Sequence, residues 1–160
     1  MKAQIGTRMM ILLGLGVLAL TVPAFTQSNQ ADNMQIVREK LRADKKLLVA
    51  QTMQLTDPES QSFWPVYESF QKELTALNDR VLKLIQNYAQ NYASMTNEVA
   101  RTLTDEYMAA DAERLKIRQS YLPRFRKVLS EIKVARYYQL ETKIQALINY
   151  DLATGIPLIQ

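Results

Sequence analysis

The acidic side chains that could carry catalytic chemistry cluster in the second half of this 160-residue chain. Paired carboxylates can act as general acid and general base, and four such residues lie close together in the sequence: Asp105, Glu106, Asp111 and Glu113. The chain has neither cysteine nor histidine, and it offers no nucleophile with an obvious base and no glycine-rich phosphate loop. The four acids therefore fit a solvated helix face. We predict a protein that is not an enzyme and that has no cofactor and no metal site.

Aromatic and basic side chains are the stronger candidates for function, because they can contact another protein. Trp64 lies off the main apolar stripe of its predicted helix. It either packs on the first or last helix or acts as a half-exposed anchor for a partner. The complete candidate set for partner binding is Trp64, Tyr67, Arg124, Arg126 and Lys127.

Glu141 falls inside the apolar stripe of the last predicted helix. The other members of that stripe follow one another at steps of three and four: Val134, Tyr137, Ile144 and Ile148. A carboxylate that is buried without a partner is strongly unfavourable, and Arg80 on the long helix is its predicted partner. Two interpretations stay open, a structural lock between helices and a binding role for this acid.

The element that must position most of these side chains is a long helix predicted from Leu55 to Tyr92. Thr56 followed by Glu59 predicts a capping box at its start, and Pro65 inside the helix predicts a bend. Apolar side chains recur along it at steps of three or four, which places them on one side of a helix: Phe63, Val66, Phe70, Leu74, Leu77, Val81, Leu84, Tyr88 and Tyr92. Among the aromatic members, Phe63, Phe70 and Tyr88 are expected in the core.

A first helix is predicted before the long one, from Met34 to Met53. Its apolar stripe is thin, with Leu48 near its end, and Asp44 interrupts it. The segment is also rich in lysine and arginine. It is either a solvated helix that lies loosely on the body or a mobile basic arm that contacts partners.

Two more helices are predicted after a turn at residues 93–102. The first begins at Leu103 with Thr104 as its N-cap and is expected to kink at Pro123; its predicted stripe contains Met108, Leu115, Leu122, Phe125 and Leu129. The last helix begins at Ser130, and Gly155 is its expected C-cap. The apolar tail that follows, residues 156–159, is expected to fold back onto the body.

The first 24 residues have the pattern of a secretory signal peptide. Lys2 and Arg8 precede an apolar run of 14 residues, and small residues allow cleavage after Ala24 or Thr26. The run is shorter than the ~20 residues that span a bilayer, so we expect export and cleavage rather than an anchor. Residues 25–33 are then a flexible mature N-terminus and residues 34–160 a single helical domain.

Charge divides the helical part of the chain into an acidic and a basic stretch. Residues 57–113 contain ten acids and four bases, whereas residues 114–143 contain nine bases and two acids. A basic tract can bind nucleic acid, but an exported protein rarely meets any. Acidic protein segments or anionic lipid are therefore better candidate partners.

Two helix-start segments repeat about 48 residues apart, LTDPE at Leu55 and LTDEY at Leu103. With the signal peptide, they give a chain that resembles the exported LTXXQ-motif (Spy/CpxP-like) family over residues 51–156. Glu59 and Tyr107 stand where that motif has glutamine. The resemblance implies four helices in a thin, kinked hairpin, a cradle-like homodimer and, for some members, ATP-independent chaperoning in the periplasm. Another member restrains an envelope-stress sensor kinase, and a third type binds zinc.

These observations lead to one expected fold and two expected functions. The fold is an all-α, elongated and kinked four-helix hairpin, expected to form a homodimer. The first function is that of a periplasmic, ATP-independent chaperone-like protein that binds non-native or partner proteins on an apolar and basic helical face. The alternative is a regulatory adaptor for the periplasmic domain of an envelope-stress sensor kinase. No nucleic acid partner and no membrane span after signal cleavage are expected.

Overall fold

The structure, a computed structural model, describes residues 43–159. These residues lie within one of the two structural units of the chain, Ala43–Gln160. All regular structure among them is helical, and no strand occurs in this part of the chain. The predicted all-α class is thus confirmed. The expected signal peptide, the flexible N-terminus and the first part of the predicted first helix lie outside the described residues.

The described part contains four helices. The first, α1, is described over residues 43–53. The others are α2 at Asp57–Asn91, α3 at Asn97–Arg126 and α4 at Glu131–Gly155, and a short 3₁₀ turn at Tyr92–Ser94 follows α2. Helices α2 and α3 form an antiparallel hairpin, and α4 runs back along α3. At 1.5 Å per residue, α2 is about 50 Å long.

The start of α2 confirms the predicted capping box. The Thr56 N–H donates to Oε2 of Glu59 at 2.8 Å, and the Thr56 hydroxyl donates to the same oxygen at 3.0 Å. Pro58 lies in the first turn, where its missing N–H is not needed. The helix continues through Pro65, and the bend expected there stays a prediction.

The start of α3 differs from the prediction. Thr96 is the N-cap, and its hydroxyl accepts a hydrogen bond from the Val99 N–H at 3.2 Å. Thr104 is therefore wrong as an N-cap, and Leu103 lies inside the helix rather than at its start. The Thr104 hydroxyl donates to the carbonyl oxygen of Ala100 at 2.9 Å, as an ordinary mid-helix threonine does. A threonine followed by an acidic first turn occurs at both positions, and the earlier one is used.

The face that α3 turns toward the core differs from the prediction at Met108 and Leu115, whereas Phe125 and Leu129 of the predicted stripe are buried as expected. Met108 and Leu115 are 63% and 57% exposed, whereas Leu103, Ala110 and Ile117 are buried. Both sets have members seven residues apart, so either could form a helical stripe. The buried set continues into Tyr121 and Phe125, whose large rings occupy the core, and this continuation determines which face points inward.

The end of α4 was predicted less accurately than its start. Ser130 is the N-cap, as predicted, and accepts a hydrogen bond from the Lys133 N–H. The C-cap is Ile156, whose N–H donates to the carbonyl oxygen of Leu152 at 2.9 Å. Gly155 is instead the last helical residue and does not have the positive φ of a left-handed cap. The Tyr88 hydroxyl donates to the carbonyl oxygen of Pro157 at 2.6 Å, which holds the tail near the end of α2.

The apolar core lies where α1 packs against the first half of α2, the second half of α3 and the first half of α4. Val49 and Met53 of α1 are fully buried in it. Together with Lys45 they form a stripe at steps of four, whereas Leu48 is 43% exposed. The described part of α1 is therefore a packed helix, and the expectation of a helix lying loosely on the body is wrong for these residues. The largest fully buried side chains of the unit are Tyr121, Tyr137, Phe63, Phe70, Phe125, Met53 and Val49.

Candidate partner-binding surface

Aromatic rings from three helices meet in the core, and one of them is a predicted partner-binding residue. The rings of Phe125 and Tyr137 are 4.7 Å apart between centroids, and Tyr67 lies 5.7 Å from Phe63 and 6.1 Å from Tyr137. Tyr67 is 4% exposed, and burial raises its pKa well above the usual range. It follows Phe63 by four residues and so shares its buried face. Tyr67 is therefore wrong as a surface contact.

Trp64 is half-buried and packs on α1. Its Nε1–H donates to the hydroxyl of Ser60 at 2.9 Å, and the Lys46 ammonium lies 5.1 Å from the ring centroid. The structure shows a contact with the first helix, and because the ring is only half-buried, its role as an anchor for a partner stays a prediction. The indole bridges the aromatic core and the surface, since its ring also meets those of Phe63 and Tyr67 edge-on.

The three predicted basic residues lie together at the corner between α3 and α4, and all are exposed. The Arg124 guanidinium stacks 4.4 Å from the centroid of Tyr121, and Arg126 pairs with Glu131 at 3.0 Å. Lys127 has no side-chain ion pair or hydrogen bond within residues 43–159. Cations at the C-terminal end of α3 also favour the helix dipole, so this corner has a structural role whether or not it binds a partner.

Glu141 is buried, as predicted, and its partner is Lys45 rather than Arg80. The carboxylate is 7% exposed and accepts three hydrogen bonds: from Lys45 Nζ at 2.8 Å, Gln71 Nε2 at 2.9 Å and the Tyr137 hydroxyl at 3.0 Å. Burial raises the pKa of Tyr137 far above its usual range, and the negative charge of Glu141 adds to the effect. The group is a lock that joins α1, α2 and α4.

Arg80 lies too far along α2 to reach this carboxylate. It follows Gln71 by nine residues, which is about 13 Å along the helix axis. Its guanidinium pairs instead with Glu113 of α3 at 3.0 Å, and both side chains are nearly half exposed. The predicted Arg80–Glu141 pair is therefore wrong.

The most exposed part of a core-facing helix stripe is the second half of α4. The face that carries Tyr137 and Glu141 continues at steps of three and four into Ile144, Ile148 and Leu152. Tyr137 is fully buried, but Ile148 and Leu152 are 45% and 37% exposed, and the adjacent Leu147 is 67% exposed. We call the four apolar side chains Ile144, Leu147, Ile148 and Leu152 the distal α4 surface.

Polar contacts, rather than apolar burial, hold this half of α4 in place. Arg114 of α3 donates to Gln145 Oε1 at 3.2 Å and to Asn78 Oδ1 of α2 at 3.0 Å. Burial lowers the pKa of the Arg114 guanidinium, and the two amide oxygens partly replace its lost water. Further along, Tyr88 holds Pro157. Tyr88 itself is half-buried, so it is only a partial member of the predicted core.

The sequence pattern predicts Ile144 and Ile148 as members of the apolar stripe of the last helix, but Ile148 is 45% exposed. The periodicity continues along α4 beyond Glu141, where Lys45 of α1 contacts it, and periodicity by itself does not show how far along the helix the covering partner extends.

Residues 43–159 contain neither a candidate group of metal ligands nor a helix that could cross a membrane. No group of three or more acidic, histidine or cysteine side chains there could hold a metal ion, and no helix of this part is both long and apolar enough to cross a bilayer. Comparisons with models of protein families, with curated proteins and with solved structures found no match to this chain.

Proposed function

We propose that this protein is exported to the periplasm and binds non-native segments of other proteins on the distal α4 surface, without ATP and without catalysing a reaction. The observation that carries the proposal is the solvent exposure of Ile148 and Leu152, which continue the buried stripe of α4. Apolar attraction is non-directional and depends on the area removed from water. A row of aliphatic side chains along one helix therefore accepts many apolar segments without requiring a particular sequence.

Charges of both signs surround this surface. Lys143 is exposed next to Ile144, and Asp151 is the only acidic residue of α4 after Glu141. Arg114 lies against Gln145, and the negative charge of Asp111 on the same helix acts on its guanidinium. A rim of mixed charge favours neither acidic nor basic segments, so binding should depend only weakly on salt.

The test is suppression of aggregation for several unrelated proteins diluted from denaturant. The mature protein should suppress light scattering for all of them, whereas the double variant Ile148→Gln, Leu152→Gln should require at least about tenfold more protein for the same effect. Ile132→Gln is the matched control, because Ile132 lies in the same helix and is 75% exposed but is about 24 Å from Ile148 along the axis.

The pattern of suppression also decides between the two expected functions. Suppression for none of the test proteins, together with tight binding to the periplasmic domain of one membrane sensor, would replace the chaperone-like function with that of a regulatory adaptor. Export is checked separately by the mass of the mature N-terminus, which should correspond to cleavage after Ala24 or Thr26. Sedimentation equilibrium at micromolar concentration tests the expected homodimer.

A further inference from the structure

The side-chain hydrogen bonds that the described part of α1 makes within residues 43–159 join it to residues beyond the connector that follows it. Lys45 pairs with Glu141 and Gln71, and Lys46 pairs with Glu68 at 2.6 Å. The buried side chains of α1 join the core cluster formed by α2, α3 and α4. Nothing in these contacts requires α1 and its site to belong to the same chain.

The connector between α1 and α2 is short and conformationally strained. It comprises Gln54, Leu55 and Thr56, and Gln54 has φ 47°, the only positive φ of a non-glycine residue in the part of the chain that the structure describes. A side chain with a Cβ is disfavoured in this left-handed region. Lys133 donates to the Gln54 carbonyl oxygen at 3.1 Å and helps to hold the turn between α1 and α2. Straightening the connector would release the unfavourable φ.

We propose that the partner of this site is a second copy of the chain, with the two copies exchanging their α1 segments. Lys45 of one copy then pairs with Glu141 of the partner subunit, and the reciprocal pair forms by two-fold symmetry. The contacts of α1 are the same whether it lies on its own chain or on the partner subunit. Short, strained connectors favour exchange, and only one connector per chain has to open.

This dimer differs from one formed through the exposed apolar faces. A surface dimer through the distal α4 surface leaves each Lys45 on the Glu141 of its own chain. Exchange instead joins Lys45 of one chain to Glu141 of the other. A chain with a changed charge at one of these positions can then form an opposite pair only with a chain that is changed at the other position. Exchange of α1 is independent of the proposed binding of non-native proteins.

Charge reversal tests this directly. The variants Lys45→Glu and Glu141→Lys each place two like charges in the lock. A chain with both changes has an opposite pair again, with the two charges reversed. It is the control that shows whether the fold tolerates the reversed pair. Tagged Lys45→Glu chains are refolded from urea with untagged Glu141→Lys chains. Purification on the tag should recover at least about tenfold more untagged chain than a mixture of tagged and untagged Lys45→Glu.

The expected result holds even where the single variants do not fold alone. In that case, mixing them should restore the helical circular dichroism signal, and a mixture that stays unfolded while the doubly changed chain folds would overturn the proposal. Equal recovery of untagged chain in both mixtures would do the same. A second variant, Gln54→Gly, tolerates positive φ and should lower the dimer fraction of the parent chain severalfold. An unchanged fraction would contradict the role of the connector.

Discussion

Replacing Glu141 should destabilise the fold more than any exposed charge substitution. In Glu141→Ala, the ammonium of Lys45, the amide of Gln71 and the hydroxyl of Tyr137 all lose the acceptor they share. Removing one partner of a buried ion pair typically costs ~3–5 kcal/mol. The Lys45 side chain is 22% exposed and can regain some water, so we expect about 3 kcal/mol, at the lower end of that range.

The matched control is Glu113→Ala, which breaks the exposed pair with Arg80. Both side chains of that pair are nearly half exposed, and such pairs contribute ~0–1 kcal/mol. Urea unfolding followed by circular dichroism gives both free energies of unfolding. Fluorescence of Trp64, the only tryptophan of the chain, adds a local probe, because the Lys46 ammonium lies over its ring.

A double-mutant cycle separates the lock from the loss of packing. Combining Lys45→Ala with Glu141→Ala should show a coupling free energy of at least ~1.5 kcal/mol, the usual scale for a hydrogen bond to a charged group. The same cycle with Arg80→Ala in place of Lys45→Ala should show coupling near zero. A Lys45 coupling near zero, or a Glu141→Ala chain as stable as the parent, would refute the lock.

Three further predictions concern ionisation and capping. The hydrogen bond from Lys133 lowers the pKa of Glu59 to about 2. The stability that the ionised Glu59 contributes is therefore present above pH ~4.5 and is lost as the pH falls toward 2. The urea midpoint of unfolding should fall with pH in this range, and Lys133→Met should make that fall smaller. Burial raises the pKa of Tyr138 to about 12. The stability that the neutral phenol contributes below pH ~10 should therefore be lost as the pH rises through 12. Tyrosinate absorbance follows the ionisation, and circular dichroism follows the loss of helix. Thr96→Ala should cost ~1 kcal/mol as a lost N-cap, and equal costs for Thr96→Ala and Thr104→Ala in urea unfolding would contradict the assigned start of α3.

Local signals in the sequence were sufficient to predict the long helix and its cap. The Thr56–Glu59 capping box and the stripe through Phe63 and Phe70 depend on residues that are close in the sequence, and the structure confirms both. The burial of Glu141 was also predicted, because the apolar side chains of α4 recur at steps of three and four and Glu141 falls on the same face.

Contacts between distant segments were not predictable in the same way. Lys45 and Glu141 are 96 residues apart, and a lysine in a strongly basic helix gives no sign that it will be the one turned inward. The face of α3 was ambiguous because Met108 and Leu115 have the same spacing as Leu103 and Ala110. Only the packing of α3 on α2 decides between such faces, and a small residue such as Ala110 is weak evidence for a core position.

The central claim is that non-native proteins bind at the distal α4 surface, and a fluorescent label placed there tests it most directly. The chain lacks cysteine, so Ile148→Cys and the control Ile132→Cys can each be labelled at one site with an environment-sensitive dye. Addition of a permanently unfolded protein should shift the emission of the label at position 148 to shorter wavelength and leave that at position 132 unchanged. A shift at position 132 alone, or no shift at either position while binding is seen by sedimentation, would contradict the claim.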